Sequence, residues 1–97
     1  MKIIFIQNVH IKSSLIVDIK KEINSDIIPR VGDLISDRLY GDVLLDYGPG
    51  VVSRVLLDYE ENKCIVMLER ITVDNDIHNN IANNLIAKAE EFGWYAK

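Results

Sequence analysis

The sequence predicts a mainly β protein with one C-terminal α-helix, folded as a small antiparallel barrel or a strongly bent sheet. Three observations carry that expectation. Fifteen of the 97 residues are isoleucine, and β-branched side chains suit a pleated, half-buried surface better than a helix. Residues 50–69 place two apolar, β-branched runs on either side of Glu60-Glu61-Asn62-Lys63, the pattern of a β-hairpin. From Asp76 onward the apolar period changes. Ile77, Ile81, Leu85, Ala89 and Phe92 recur every three or four residues, which lines one face of a helix.

The elements follow in order. Residues 2–9 alternate as a strand, with Ile3, Phe5 and Val9 on one face and Lys2, Ile4, Ile6 and Asn8 on the other. Both faces are partly apolar, which predicts cover on both sides. Residues 10–14 read as a turn. A second strand spans 15–23, with Leu15, Val17 and Ile19 facing inward and Ile16, Asp18, Lys20 and Glu22 facing out. Asn24-Ser25-Asp26 turns the chain, and Pro29 biases Ile28 to an extended conformation. Gly32-Asp33 leads into a short strand at 34–36. Residues 37–50 hold three of the five glycines and read as a long loop, with Val43-Leu44-Leu45 an edge strand or a plug for the barrel.

In the 50–69 hairpin, strict alternation puts Val51, Ser53, Val55, Leu57 and Tyr59 on one face. Val52, Arg54, Leu56 and Asp58 fall on the other. Asn62 is the residue best suited to a left-handed turn position. Because both faces carry apolar residues, the hairpin is expected to lie between the barrel interior and the C-terminal helix. That helix is expected over about 76–92, capped by Asp74 or Asn75 and ended by Gly93, with Trp94 folding back on its last turn.

The totals bound the function classes. A chain of 97 residues with 48% hydrophobic composition builds one domain with a packed core. Its net charge of −4 disfavours nucleic acid, whose binders carry a basic footprint. The charge is uneven: residues 1–30 hold five bases and three acids, residues 31–97 six bases and twelve acids. Cys64 is the single cysteine, so no intrachain disulfide forms, in keeping with a cytoplasmic protein. The apolar run Ile3–Ile6 is too short for a signal peptide. No stretch reaches the roughly 18 apolar residues of a membrane span, so no membrane partner is expected.

No catalytic or metal motif is complete. Asp74-Asn75-Asp76 begins like a calcium loop, but Asn79 and Leu85 stand where glycine and glutamate are required. Cys64 sits mid-strand among apolar neighbours, the setting of a buried filler rather than a nucleophile. His10 and His78 have no spacing that unites them with Cys64 as a metal site. No cofactor is expected. The acids of residues 33–61 lie at turns and strand surfaces, where charge also blocks edge-to-edge association; a hydrolase would need two of them facing one another.

The hairpin resembles the KOW motif of SH3-like barrels on Gly50, Val52, Val55, Asn62, Val66 and Leu68. Upstream, Val31-Gly32-Asp33-Leu34-Ile35 resembles the strand entry of such barrels. The resemblance covers residues 29–69 and implies a small SH3-like barrel of the kind found in ribosomal and transcription proteins. Two departures weigh against the nucleic-acid role: Arg70 replaces the glycine that often follows the last strand, and most of the basic residues are missing.

The leading expectation is therefore a non-enzymatic module that binds a protein partner or a second copy of itself. Its candidate contacts are Arg38, Tyr40 and Tyr47 in the long loop and Trp94 and Tyr95 in the tail, since aromatics on loops commonly carry recognition. The alternative is nucleic-acid binding through Lys12, Lys20, Lys21, Arg30 and Arg54.

Overall fold

The computed structural model describes residues 1–11, 15–42, 44, 47–73 and 81–96. The chain is mainly β, with one short helix near its C-terminus, and its sheet curls into a half-barrel. The elements are β1 (Lys2–Ile11), β2 (Leu15–Asn24), β3 (Leu34–Ile35), β4 (Gly50–Asp58), β5 (Lys63–Leu68), β6 (Ile71–Val73), α1 (Ile81–Glu91) and β7 (Tyr95–Ala96). They pair in the order β3-β4-β5-β1-β2-β7, with β6 also on β1. Two strands go beyond the expected set: the return strand of the hairpin continues past Leu68 as β6, and two-residue β7 closes the far edge on β2.

β1 is the spine. It pairs antiparallel with β2 over ten residues, from Lys2↔Asn24 to Ile11↔Leu15. Its other edge takes β5 and then β6, both parallel. The alternation expected for β1 is observed: Ile3, Phe5, Val9 and Ile11 are buried. So is Gln7, completely. The reason is a one-residue bulge between β5 and β6. Ile6 pairs Met67 and Val9 pairs Ile71, so three steps on β1 face four on the β5–β6 segment. The bulge takes the Glu69 carbonyl out of the ladder, and Gln7 Nε2 donates to it at 2.8 Å. A buried amide is stable only when its polar atoms find partners.

A second bulge corrects the hairpin's faces. Val52 pairs Leu68 but Arg54 pairs Met67, so Ser53 is the extra residue. The inward face therefore changes phase. Val52 is buried with Leu68, and Val55 and Leu57 then face inward opposite Val66 and Cys64. Strict alternation had separated Val52 from Val55. Asn62 does take the left-handed conformation, at φ 53°.

The helix packs on β2 and β7, burying Leu85 and Ala89. It does not cover the hairpin, contrary to the expectation that the hairpin lies between interior and helix. Its expected start at 76–80 and the Asp74 or Asn75 cap lie outside the described residues. Its end is a Schellman turn: Trp94 N–H donates to Ala89 O at 2.9 Å and Gly93 N–H to Glu90 O at 3.2 Å. Gly93 takes φ 90°, which a side chain would resist. This turn drives Trp94 into the core at 2% exposure. Leu44 is buried too, so it acts as a plug, and Val43 and Leu45 lie outside the described residues.

Candidate functional site

Two regions stand out, and they have opposite characters. The first lies inside the curl. Asp37 follows β3, and its Oδ2 accepts from Lys21 Nζ at 2.7 Å. Its Oδ1 accepts from Trp94 Nε1 and from Leu39 N–H, both at 3.0 Å. Lys21 also donates to Phe92 O at 2.8 Å, which satisfies a carbonyl beyond the last helical turn. Tyr40 meets the Trp94 ring edge-on at 6.5 Å, and its hydroxyl donates to Gln7 Oε1 at 2.7 Å. The chain of contacts thus joins the helix end, the loop after β3 and the β5–β6 bulge.

The electrostatics are those of a structural knot. Burial raises the Asp37 pKa, but the donors Lys21, Trp94 and Leu39 N–H together with the Lys21 charge outweigh it and hold the carboxyl below its ordinary value. Tyr40 is pushed well above an ordinary phenol, first by burial and then by the Asp37 carboxylate. Burial also pushes up the Cys64 thiol, which lowers its thiolate fraction and its reactivity. A cleft of about 280 Å³ lies against this knot, lined by Phe5, Lys21, Ile23, Leu34, Ile35 and Trp94 among others.

Tyr40 and Trp94, expected on a binding surface, are therefore core residues at 6% and 2% exposure. Among the described loop residues, Leu39, Tyr40 and Leu44 turn into the core, while Asp37 is held by Lys21 and Trp94. Of the other expected contacts, Arg38 is exposed and lies 4.9 Å over the Phe92 ring. Tyr47 is exposed beside Pro49 and Arg70. Tyr95 is on β7 at the opposite edge of the sheet, donating its hydroxyl to Glu22 at 3.3 Å. These five residues do not form one surface.

The basic alternatives do not converge either. Lys21 is held in the knot, and Arg30 lies beside an apolar cleft with Ile28, Val31, Val55 and Leu57. Lys12 lies outside the described residues. Lys20 and Arg54 sit at opposite ends of one cross-strand row. Among the acids of 33–61, Asp33 accepts from Arg30 N–H and Asp58 from Glu61 N–H, both closing turns.

The second region is the convex face of the sheet, which the sequence reading passed over. Registers across four strands align two rows. One runs Arg54–Met67–Ile6–Lys20 and the next Leu56–Ile65–Ile4–Glu22. With strands about 4.8 Å apart, each row is about 15 Å long. The centre is five apolar side chains: Met67, Ile6, Leu56, Ile65 and Ile4. The rim is Arg54, Lys20 and Glu22, with Tyr95 beside Lys20. Leu56 is 57% and Met67 41% exposed. The signal is present in β1 and β5, whose faces are both apolar, but apolar residues on both faces of a strand predict cover on both sides, and here one side stays open.

Comparison with protein-family models, with curated proteins and with solved structures gave no match to the chain. What the protein does must be read from its own surfaces.

Proposed function

We propose that this chain is a non-enzymatic protein-binding module whose contact surface is the convex face of β4, β5, β1 and β2. The observation that supports the reading is the pair of aligned rows, an apolar centre of five residues bounded by charge. A polar rim around a desolvatable centre is the anatomy of a protein–protein contact, and contiguous apolar surface on a soluble domain marks such sites. Here the rim carries Arg54 and Lys20 against Glu22, both signs of charge, which suits a polypeptide better than a phosphate backbone.

The test is affinity capture from native extract with the intact chain, the variant Met67→Glu/Ile6→Glu, and Tyr47→Ala as a control in the loop. Specific protein partners should bind the intact chain and Tyr47→Ala, and be lost from the double variant while its circular dichroism is unchanged. Capture that survives the double variant, or material that proves to be nucleic acid released by moderate salt, would overturn the reading.

A further inference from the structure

We propose that a second copy of this chain docks on the free edge of β4, forming a two-fold antiparallel pair centred on Leu56. The proposal goes beyond the binding face just described: it uses the backbone edge of β4 and shares only Arg54 and Leu56 with the side-chain rows. β3 pairs with β4 only at Val51 and Gly50, and Val52 exchanges backbone bonds with Gly32 and Asp33. Beyond Val52, no strand among the described residues pairs that edge of β4. Its backbone donors and acceptors there are a template for another strand.

The stretch is open on its convex face and only partly covered on the other, where Val55 packs against the core and Leu57 shares a cleft with Ile28 and Val31. Leu56 and Leu57 point to opposite sides of the sheet, yet they are 57% and 37% exposed.

The register follows from the ends. The Ser53 bulge stops regular pairing on one side, and the turn at Tyr59–Asn62 stops it on the other. The usable edge is therefore Arg54–Asp58, whose midpoint is Leu56. In an isologous pair each residue meets the one equally far from the centre. Arg54 then faces the partner's Asp58 and Asp58 the partner's Arg54. Leu56 meets its own copy on the convex face, and Val55 meets Leu57 on the other. Within one chain Arg54 and Asp58 are four residues apart, about 13 Å along a strand, too far to pair with each other. A slip by two residues would set Arg54 against Glu60, but Glu60 lies in the turn. The charges that guard an exposed edge in the monomer thus become complementary in the dimer. The two convex faces also join through Leu56 into one surface of twice the length.

The experiment is light scattering and sedimentation over a concentration series, with charge reversals and a cross-link. The intact chain should approach twice the 11.1 kDa chain mass as concentration rises. Arg54→Asp and Asp58→Arg each place like charges together at two symmetric positions, so each should weaken the dimer at least about tenfold. The double variant should recover most of the affinity. Leu56→Cys should give a disulfide-linked dimer under mild oxidation, because cross-strand neighbours sit within disulfide reach; Glu61→Cys should not. Native Cys64 is fully buried and does not compete. A chain that stays monomeric to millimolar concentration overturns the proposal, as does a dimer indifferent to the reversals and unlinked through position 56. A monomer that still captures a partner on the convex face would sink the dimer while leaving the proposed function standing.

Discussion

The end of the sheet under the helix and the free β4–β5 side are built from similar residues with opposite outcomes. Under the helix, Trp94, Tyr40, Leu39 and Gln7 are buried, and Asp37 and Lys21 both have partners. Along β4 and β5, Leu56 and Met67, which face away from the core, stay in water. Composition does not distinguish the two. The difference is the second layer: α1, Trp94 and the loop residues 37–42 and Leu44 lie on one side of the sheet, and no described element covers the other. Burial in a protein this small is decided by which faces receive a second layer. An apolar face without one is where association is cheapest.

The comparison breaks most sharply at Trp94. Its replacement by alanine removes a ring that packs on Tyr40, takes a donor from Asp37 and opens a cavity beside Phe5. A loss of about 3–5 kcal/mol is expected, typical of buried aromatics, read as a fall in the urea midpoint with the slope unchanged. A loss under about 1 kcal/mol would mean that the tail is not part of the core.

Much of this arrangement was legible in the sequence. The strands, the hairpin with Asn62 at its turn, and the helix ended by Gly93 follow from period, propensity and turn chemistry. What was not legible is where strand register slips. The Ser53 bulge reverses which hairpin residues face inward, and the β5–β6 bulge creates the need for Gln7. A bulge depends on what the neighbouring strands demand, and local pattern does not encode that. The site was misread for a related reason. Tyr40 and Trp94 looked like recognition aromatics because they stand in loop-like sequence, yet they are drawn inward by partners 33 and 57 residues away. Gly50 belongs to the same contact. A Cβ there would lie 2.6 Å from Tyr40 Oη, so a feature read as part of a hairpin motif is also the seat of the tyrosine.

A smaller effect is expected from the ion pair, and it carries a pH signature. Lys21→Met leaves Asp37 partly buried without its cation. The expected cost is about 1–3 kcal/mol, below the 3–5 of a fully buried pair because both side chains retain some water contact. Asp37 has a lowered pKa in the folded state. Its contribution is therefore complete above the ordinary aspartate range and is lost as pH falls through the folded value. In Lys21→Met, burial is opposed by fewer donors, so the folded pKa rises and acid unfolding should begin at higher pH. An acid-unfolding profile merely shifted down in stability at every pH would refute the linkage between the two side chains.

The smallest effect on stability is expected on the convex face, and there its smallness is the point. Leu56→Gln with Met67→Gln removes apolar surface that is already 57% and 41% exposed. Substitutions at such positions usually stay within about 0.5 kcal/mol, and glutamine keeps side-chain length and strand compatibility. Thermal and urea midpoints should hardly move. If instead the double variant costs several kcal/mol in dilute solution, those residues are core to the monomer and the contrast between the two regions collapses. If the cost appears only at high protein concentration, the stability being lost belongs to an assembly, since a partner that binds only the folded chain raises its midpoint by mass action. Concentration dependence in the intact chain, absent from the variant, would then locate the missing second layer in another molecule.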